Sequence, residues 1–512
     1  PIQSGIPVAR IELLDALQVK ACNMHAHLGL PEVPMLFLEF HGTPEGAREQ
    51  VEAFAAIAEE HGGGDFQWAE KPEDRTRLWQ ARHDAYWAAK ELRPGTEAFA
   101  TDVCVPISRL AECVTESKKD IEAEGLLATV VGHVGDVGHM FVAGPTGAGK
   151  SVLLALMALQ FRRYSRAQIF VFDKGLSARA AVLACGGAHH ELGSGGAGHS
   201  SLAFQPLRAI DEPAERAWAA EWLATLLAGE KIEVTPEVKD QLWSALGSLA
   251  SAPADERTLT GLALLLQSSA LRMALAPYTL EGPYGQILDA SEETFSLADM
   301  QCFETEALMG HASLIGPVLT YLFHRLEQRF DGRPTLLILD EAWIFLDNPL
   351  FASRIREWLK VLRKRNVAVL FATQSLADIA DSTIAPAIIE SCPQRILLPN
   401  DRAIEPQART IYEGFGLNRR QIELIARATP KRDYYLQSAR GNRLFELGLG
   451  PVTLAICGAS DPAAQARIER LLADHGSEPF LVRFLSGSDA PWAADLVRAF
   501  SAPPSPETGD IA

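Results

Sequence analysis

The run Gly144-Pro145-Thr146-Gly147-Ala148-Gly149-Lys150-Ser151 constrains this 512-residue chain more than any other stretch. Its spacing is G-x-x-x-x-G-K-S, the pattern of a phosphate-cradling loop. The apolar run Met140 to Ala143 precedes it and the helical text from Val152 to Leu159 follows, giving the strand, loop and helix that the motif requires. Glycines let backbone N–H groups converge on phosphate oxygens, and the helix start adds its own free N–H groups. Lys150 is expected to reach the β- and γ-phosphates of a nucleoside triphosphate, and Ser151 to hold Mg²⁺. Gly144, Pro145, Thr146, Gly147, Ala148 and Gly149 form the rest of the cradle.

A second anchor lies nearly two hundred residues on. Thr335-Leu336-Leu337-Ile338-Leu339 reads as a buried parallel strand ending in Asp340-Glu341. Asp340 is expected to hold Mg²⁺ and Glu341 to activate the attacking water. Val367 to Phe371 is a further core strand, and Gln374 just beyond it can sense the γ-phosphate or orient water. Its bland alternative is a strand-end cap. Arg402, Arg440 and Arg443 are candidates for an arginine acting on a neighbouring subunit's site, a choice the residues leave open. Six basic residues from Arg354 to Arg365 lie in or beside a helix and read as a solvated face or as a contact for a neighbouring subunit or a nucleic acid.

The formal net charge of -18 argues against a general nucleic-acid coat, while leaving a local DNA-contacting loop open. Seven scattered cysteines without a C-x-x-C pair read as a reduced, cytoplasmic chain with no disulfide framework. No run of 18 apolar residues and no signal peptide is visible. Residues 1 to 136 read as alternating α+β text. A helix is expected over Ala9 to Asn23, then a strand over Met35 to Phe40, and helices over Pro44 to Glu60, Arg75 to Lys90 and Ile107 to Ala123. Short strands are expected over Asp65 to Ala69 and Leu126 to Val131, with Phe99 to Val105 extended. Beyond the glycine loop, residues 213 to 330 read as a mainly helical insertion, including single helices over Leu259 to Leu275 and Cys302 to Met309. Tyr434 to Gln437 and Arg443 to Leu447 form a hairpin through Gly441-Asn442, Val452 to Ile456 a strand, and residues 501 to 512 a disordered tail.

Two resemblances organise these pieces. Leu78-Trp79-Gln80-Ala81-Arg82-His83, Ala100-Thr101-Asp102-Val103-Cys104-Val105-Pro106 and Gly132-His133-Val134-Gly135-Asp136 resemble the C-terminal half of FAD-linked oxidases, nearest the cytochrome-linked D-lactate dehydrogenases. That implies a ferredoxin-like cap over a flavin held by a preceding domain. His133 matches a family metal ligand, the alternative being a polar residue at a strand end, and Arg82 is in principle a carboxylate clamp, the alternative being a solvated helix residue. The family's G-H-V-G-D-G-N-x-H is departed from after Asp136: His139 falls one place early and Met140 takes the second histidine position. The family's flavin-binding half has no counterpart upstream, so bound FAD and oxidase activity are not expected.

Asp136-Val137-Gly138-His139, Phe172-Asp173-Lys174-Gly175, Leu339-Asp340-Glu341-Ala342-Trp343, Phe371-Ala372-Thr373-Gln374-Ser375 and Tyr412-Glu413-Gly414-Phe415-Gly416-Leu417 resemble the CagE/TrbE/VirB class of conjugal-transfer and type IV secretion ATPases. This implies a RecA-like P-loop NTPase core over 137 to 500 with a helical insertion. It also implies ATP and Mg²⁺ as ligands, and a homo-oligomeric, hexameric ring with inner-membrane secretion components as partners. The chain would then be cytoplasmic and peripheral to the inner membrane. It reads as a hybrid, a partial oxidase cap (1 to 136) joined to a motor at the shared word Gly135-Asp136. Three functions remain in play: an ATP-driven motor, a flavin-dependent 2-hydroxy acid oxidoreductase, and a nucleotide-binding but inactive assembly component.

Overall fold

The computed structural model describes residues 8–501 except 41–43, 65, 68, 70–71, 97, 99–106, 135–137, 165, 194–201, 296–297, 347–348, 439–440 and 477–479. The expected extended run Phe99 to Val105, most of the glycine text up to Gly198, the join at Gly135-Asp136, Arg440 and residues 502–512 of the tail lie outside the described residues. The chain divides into two compact units, residues 1–137 with 163–165, and residues 138–162 with 166–512.

The first unit is α+β. Strands β1 (Val8–Leu14), β2 (Met35–Phe40) and β3 (Val131–Val134) form an antiparallel sheet in the order β2-β1-β3. Helices Ala16–Ala26, Pro44–Glu60, Pro72–His83, Ala85–Glu91 and Ile107–Ala123 accompany it. Leu14, Val19, Ala21, Cys22, Ala81 and Ala88 make a small buried cluster. The helix expected from Ala9 starts only at Ala16, and Val8–Leu14 is the central strand. The residues carry the reason: Arg10 and Glu12 alternate with Ile11 and Leu13 at period 2, and Asp15 caps the helix by accepting from the Gln18 N–H at 2.8 Å. The helix expected over Arg75 to Lys90 is broken at Asp84. Residues 126–130 have no regular structure, so the strand expected there starts at Val131, and the described residues near 65–69 form no strand.

The second unit is a nine-stranded sheet. Its strands are β4 (Met140–Ala143), β5 (Gln168–Asp173), β6 (Ala188–Glu191), β7 (Met300–Glu304), β8 (Thr335–Leu339) and β9 (Val367–Thr373). They continue as β10 (Gln394–Leu397), β11 (Asp433–Ser438) and β12 (Gly441–Glu446). The order is β12-β11-β10-β4-β9-β8-β5-β7-β6, parallel from β10 to β6, with β11 and β12 added antiparallel. Every residue of β5, β7, β8 and β9 is buried, as strands covered on both faces must be, and the apolar runs of β5, β8 and β9 reflect it. Phe172 anchors one face, with Phe303, Phe323 and Phe345 at centroid distances of 5.1, 5.3 and 5.5 Å.

The second unit departs from expectation in four places. Cys302 belongs to strand β7 rather than to a helix, so a core strand interrupts the inserted helical text. Met300 to Glu304 is short and wholly buried, with Gln301 and Glu304 among its buried residues, so its polar positions mark no solvent face and periodicity cannot separate strand from helix. The expected strand Val452 to Ile456 is the helix Pro451–Cys457, which Pro451 opens and Gly458 follows. Gly441-Asn442 is not the hairpin turn, because Gly441 already pairs with Ser438. Leu259 to Leu275 is two helices, Leu259–Leu265 and Ser269–Leu275.

Candidate nucleotide site

Strand order decides what can meet. β4 delivers the glycine loop, β8 delivers Asp340 and Glu341, and β9 lies between them and delivers Gln374. All three run parallel, so their C-terminal ends open on one edge, where α/β sheets bind ligands.

The loop is tightly seated. The Gly144 N–H donates to the Thr373 carbonyl at 3.2 Å, and the Leu398 N–H to the Ala143 carbonyl at 2.8 Å. A Cβ on Gly144 would fall 2.3 Å from the Leu398 Cβ. Gly147 and Gly149 have φ of 83° and 106°, the region that only glycine adopts cheaply. A Cβ on Gly149 would also meet the Tyr434 hydroxyl at 2.5 Å and the Lys431 Cα at 3.2 Å. Tyr434 donates to the Gly149 carbonyl at 3.3 Å, and the Lys431 N–H to the Ala148 carbonyl at 2.9 Å. The helix Lys150–Phe161 starts at Gly149 with no side-chain cap and no acidic residue in its first turn. Its first N–H groups and dipole therefore suit an anion.

Lys150 is buried and its ammonium bridges the two acids. It donates to Asp340 Oδ1 in a short contact and to Glu341 Oε1 at 2.6 Å. Gln374 Nε2 donates to the same Glu341 oxygen at 2.9 Å, and the Thr146 hydroxyl donates to Gln374 Oε1 at 2.7 Å. Trp343 Nε1 donates to Glu341 Oε2 at 2.8 Å. One network thus joins the loop, β9 and the acid pair. Glu341 sits at φ 53°, a left-handed backbone uncommon for a residue with a Cβ and of the kind held at functional sites.

The charges are unequally balanced. Burial opposes the Lys150 ammonium, but Asp340 and then Glu341 outweigh it and hold its pKa above the usual value. Burial pushes Asp340 up to about 6 despite Lys150. Burial also opposes ionised Glu341, yet Lys150, Gln374 and Trp343 together keep its pKa below the ordinary carboxylate value. Glu341 is therefore the more firmly ionised of the two carboxylates.

Ser151 lines a small cavity with Asp340, Asp173 and Ser177. Asp173, at the end of β5, accepts from the Ser177 hydroxyl at 2.6 Å and the Ala178 N–H at 2.7 Å, and burial raises its pKa. Glu304, at the end of β7, accepts from the Gly175 and Leu176 N–H groups at 3.2 and 2.6 Å. Burial, then Asp173, pushes it up to about 7. The uncapped helix start, the glycine loop, a buried ammonium and the hydroxyl–carboxylate pair Ser151 and Asp340 fit a triphosphate with Mg²⁺.

The structure brings together Thr146, Lys150, Asp340, Glu341 and Gln374, with Ser151 on the adjoining cavity. It does not bring in Arg402 or Arg443, which are exposed, Arg443 on edge strand β12 opposite Leu436. Sequence reasoning misses Trp343 and Tyr434. Trp343 stands inside a quoted motif without a role, and Tyr434 meets Gly149 from 285 residues away.

The oxidase-type residues have other partners. Arg82 donates from Nε and Nη2 to Glu12 Oε2 at 3.0 and 2.7 Å, which makes it neither a free clamp nor a solvated charge. His133 lies opposite Glu12 in the β1–β3 register, and no group of three metal-binding side chains occurs among the described residues. His139 is fully buried in the second unit. Its Nδ1 accepts from the Val369 N–H at 3.0 Å, so its Nε2–H donates to the Leu359 carbonyl at 3.2 Å. Burial lowers its pKa to about 4.

Residues 2–146 match the family model for FAD linked oxidases, C-terminal domain, and residues 266–436 match the TraG P-loop domain. The chain carries two family signatures. The "Conjugal transfer protein TrbE" of Rhizobium radiobacter is 48% identical over 351 residues, 67% of this chain and 42% of that protein. The "Type IV secretion system protein virB4" of Bartonella henselae is 28% identical over 356 residues, 68% of this chain and 44% of that protein. The "Probable D-lactate dehydrogenase, mitochondrial" of Danio rerio is 50% identical over 135 residues, 26% of this chain and 27% of that protein. The chain thus spans less than half the length of these TrbE and virB4 relatives and about a quarter of the dehydrogenase. The hybrid reading and the P-loop fold stand on these matches. The oxidase match runs to Thr146, past the start of β4, which pairs with β9 and β10 in the larger sheet.

Proposed function

We propose that the chain binds Mg²⁺-ATP and hydrolyses it to power conjugal transfer or type IV secretion, as the names of its TrbE and virB4 relatives suggest. The single observation that carries this is the contact of Lys150 with both Asp340 and Glu341 at the open edge of one sheet. Lys150 binds phosphate oxygens and withdraws from the acids as it does so. Ser151 and Asp340 would hold Mg²⁺, which supplies neutralisation of phosphate charge. Glu341 takes the proton of the attacking water, and Gln374, tied to Glu341 and Thr146, orients that water. Arg402 or Arg443, both exposed, completes a neighbour's site in a ring of six copies at the inner membrane face, with secretion components as partners. Among the described residues no helix is long and apolar enough to cross a membrane.

In this reading residues 1–136 are a partial oxidase cap without catalytic work, residues 137–500 the motor, and about 213–330 its insertion. The engagement of Arg82 by Glu12 supports assigning no flavin step to the cap. The test is phosphate release from ATP across protein concentrations. Turnover per chain should rise as copies assemble and vanish in Lys150→Ala and Glu341→Gln. Turnover that survives both substitutions refutes the reading.

A further inference from the structure

We propose that Trp343 is a positioning residue for Glu341, its indole N–H fixing the carboxylate oxygen that Lys150 and Gln374 leave unheld. The inference rests on the reading of Glu341 as the base. Lys150 and Gln374 both meet Oε1, at 2.6 and 2.9 Å, and among the described residues Trp343 alone meets Oε2, at 2.8 Å. A carboxylate pinned at one oxygen can still swing about its terminal bond, whereas pinning the second stops the swing. A base must present one lone pair along one line to a water, so this fixed angle bears on the rate.

Backbone geometry serves the same end. Glu341 takes its left-handed φ of 53°, and the Ile344 N–H closes the turn onto the Glu341 carbonyl at 3.0 Å. The Ala342 N–H donates to the Ala372 carbonyl at 2.8 Å, tying the turn to β9 beside Gln374. The indole is itself held, because the Lys174 ammonium lies 5.4 Å from its ring centroid. The loop that begins with Lys174 is pinned at its next two N–H groups by Glu304 and at Ala178 by Asp173. The charged groups around the Asp340–Glu341 pair are Lys150 from the helix after the glycine loop, Asp173 from β5, which acts on Asp340, and Lys174 over the indole. A packing role alone would need the ring and not its N–H.

The experiment compares Trp343→Phe, which keeps a ring and loses the donor, with Trp343→His, which restores a ring N–H. Steady-state ATP hydrolysis and equilibrium binding of a fluorescent ATP analogue are measured on the full chain. Trp343→Phe should lower kcat about tenfold with nucleotide affinity unchanged within about twofold, the size of one lost hydrogen bond to a charged group. Trp343→His should recover part of that loss. An unchanged kcat in Trp343→Phe, an equal fall in both variants, or affinity falling as far as kcat each overturns the proposal. If Trp343→Phe does not fold, a benzothienylalanine placed at 343, which exchanges only the N–H for sulfur, gives the same reading. An active wild type with an indifferent Trp343→Phe sinks this inference alone, whereas a wild type that binds nucleotide without turnover sinks the hydrolysis reading and this inference with it.

Discussion

In the smaller unit each buried acid among the described residues meets a cation: Arg82 holds Glu12, and Lys118 holds Asp15. In the larger unit a single ammonium, Lys150, serves both Asp340 and Glu341. In the first arrangement each acid has a cation of its own, and the Arg82 fork is engaged by Glu12. The second is one positive charge short. Burying ions is costly unless they are matched, so an unmatched buried cluster is kept only where something else uses it. The comparison teaches that a family resemblance and a working site are separate facts. Half-identity to a dehydrogenase over 135 residues comes with a polar cluster that satisfies itself.

The sharpest way to break this contrast is to remove each cation. Lys150→Ala should abolish ATP turnover and lower the melting transition of the larger unit, since two buried acids lose their partner at about 3–5 kcal/mol. Arg82→Ala should leave turnover untouched and lower only the smaller unit's transition. Calorimetry and phosphate release on the two variants decide it, and lost turnover in Arg82→Ala would end the contrast.

Acid offers the next test. His139 has a folded pKa of about 4, below the ordinary value near 6.5. Its neutral form adds stability that is present above pH 6.5 and lost as pH falls toward 4. That amounts to about 3 kcal/mol across the window. His189 and His190, lowered by burial to about 3 and about 4, act in the same direction and in the same unit. The larger unit's melting temperature should therefore fall between pH 6.5 and 4, and His139→Gln should flatten part of that slope. An unchanged slope in His139→Gln would count against a neutral imidazole.

Smaller effects follow. Gly149→Ala sets a Cβ against the Tyr434 hydroxyl at a φ of 106°, so about 2 kcal/mol of stability and most nucleotide affinity should be lost. Tyr434→Phe, which removes the hydroxyl, should recover some of each. A comparable effect falls in the other unit. Asp15→Ala removes both the cap of the helix Ala16–Ala26 and the partner of partly exposed Lys118, and should cost about 2 kcal/mol in chemical denaturation with no change in turnover.

Legibility follows the same division. Every member of the Lys150 network except Trp343 can be named from the sequence as a site residue, because glycine spacing and a strand ending in two acids are local patterns. Their meeting requires β9 to lie between β4 and β8, which no local pattern states. Cys302 reads as helical because the polar residues of its five-residue strand, Gln301 and Glu304, are buried and three apart, which does not show a period of two. Val8–Leu14 reads as helical although its alternation is present, since the helix behind Asp15 lends its spacing to the window. Tyr434 against Gly149 and Arg82 against Glu12 are contacts between distant segments, so only the folded chain shows them.

Trp343 also makes this protein its own optical probe. An indole hydrogen-bonded to Glu341 and overlain by an ammonium has emission sensitive to any rearrangement of those groups. Subtracting the Trp343→Phe spectrum isolates that signal from the other eight of nine tryptophans, so events at the acid pair can be timed in a stopped-flow cell without a label.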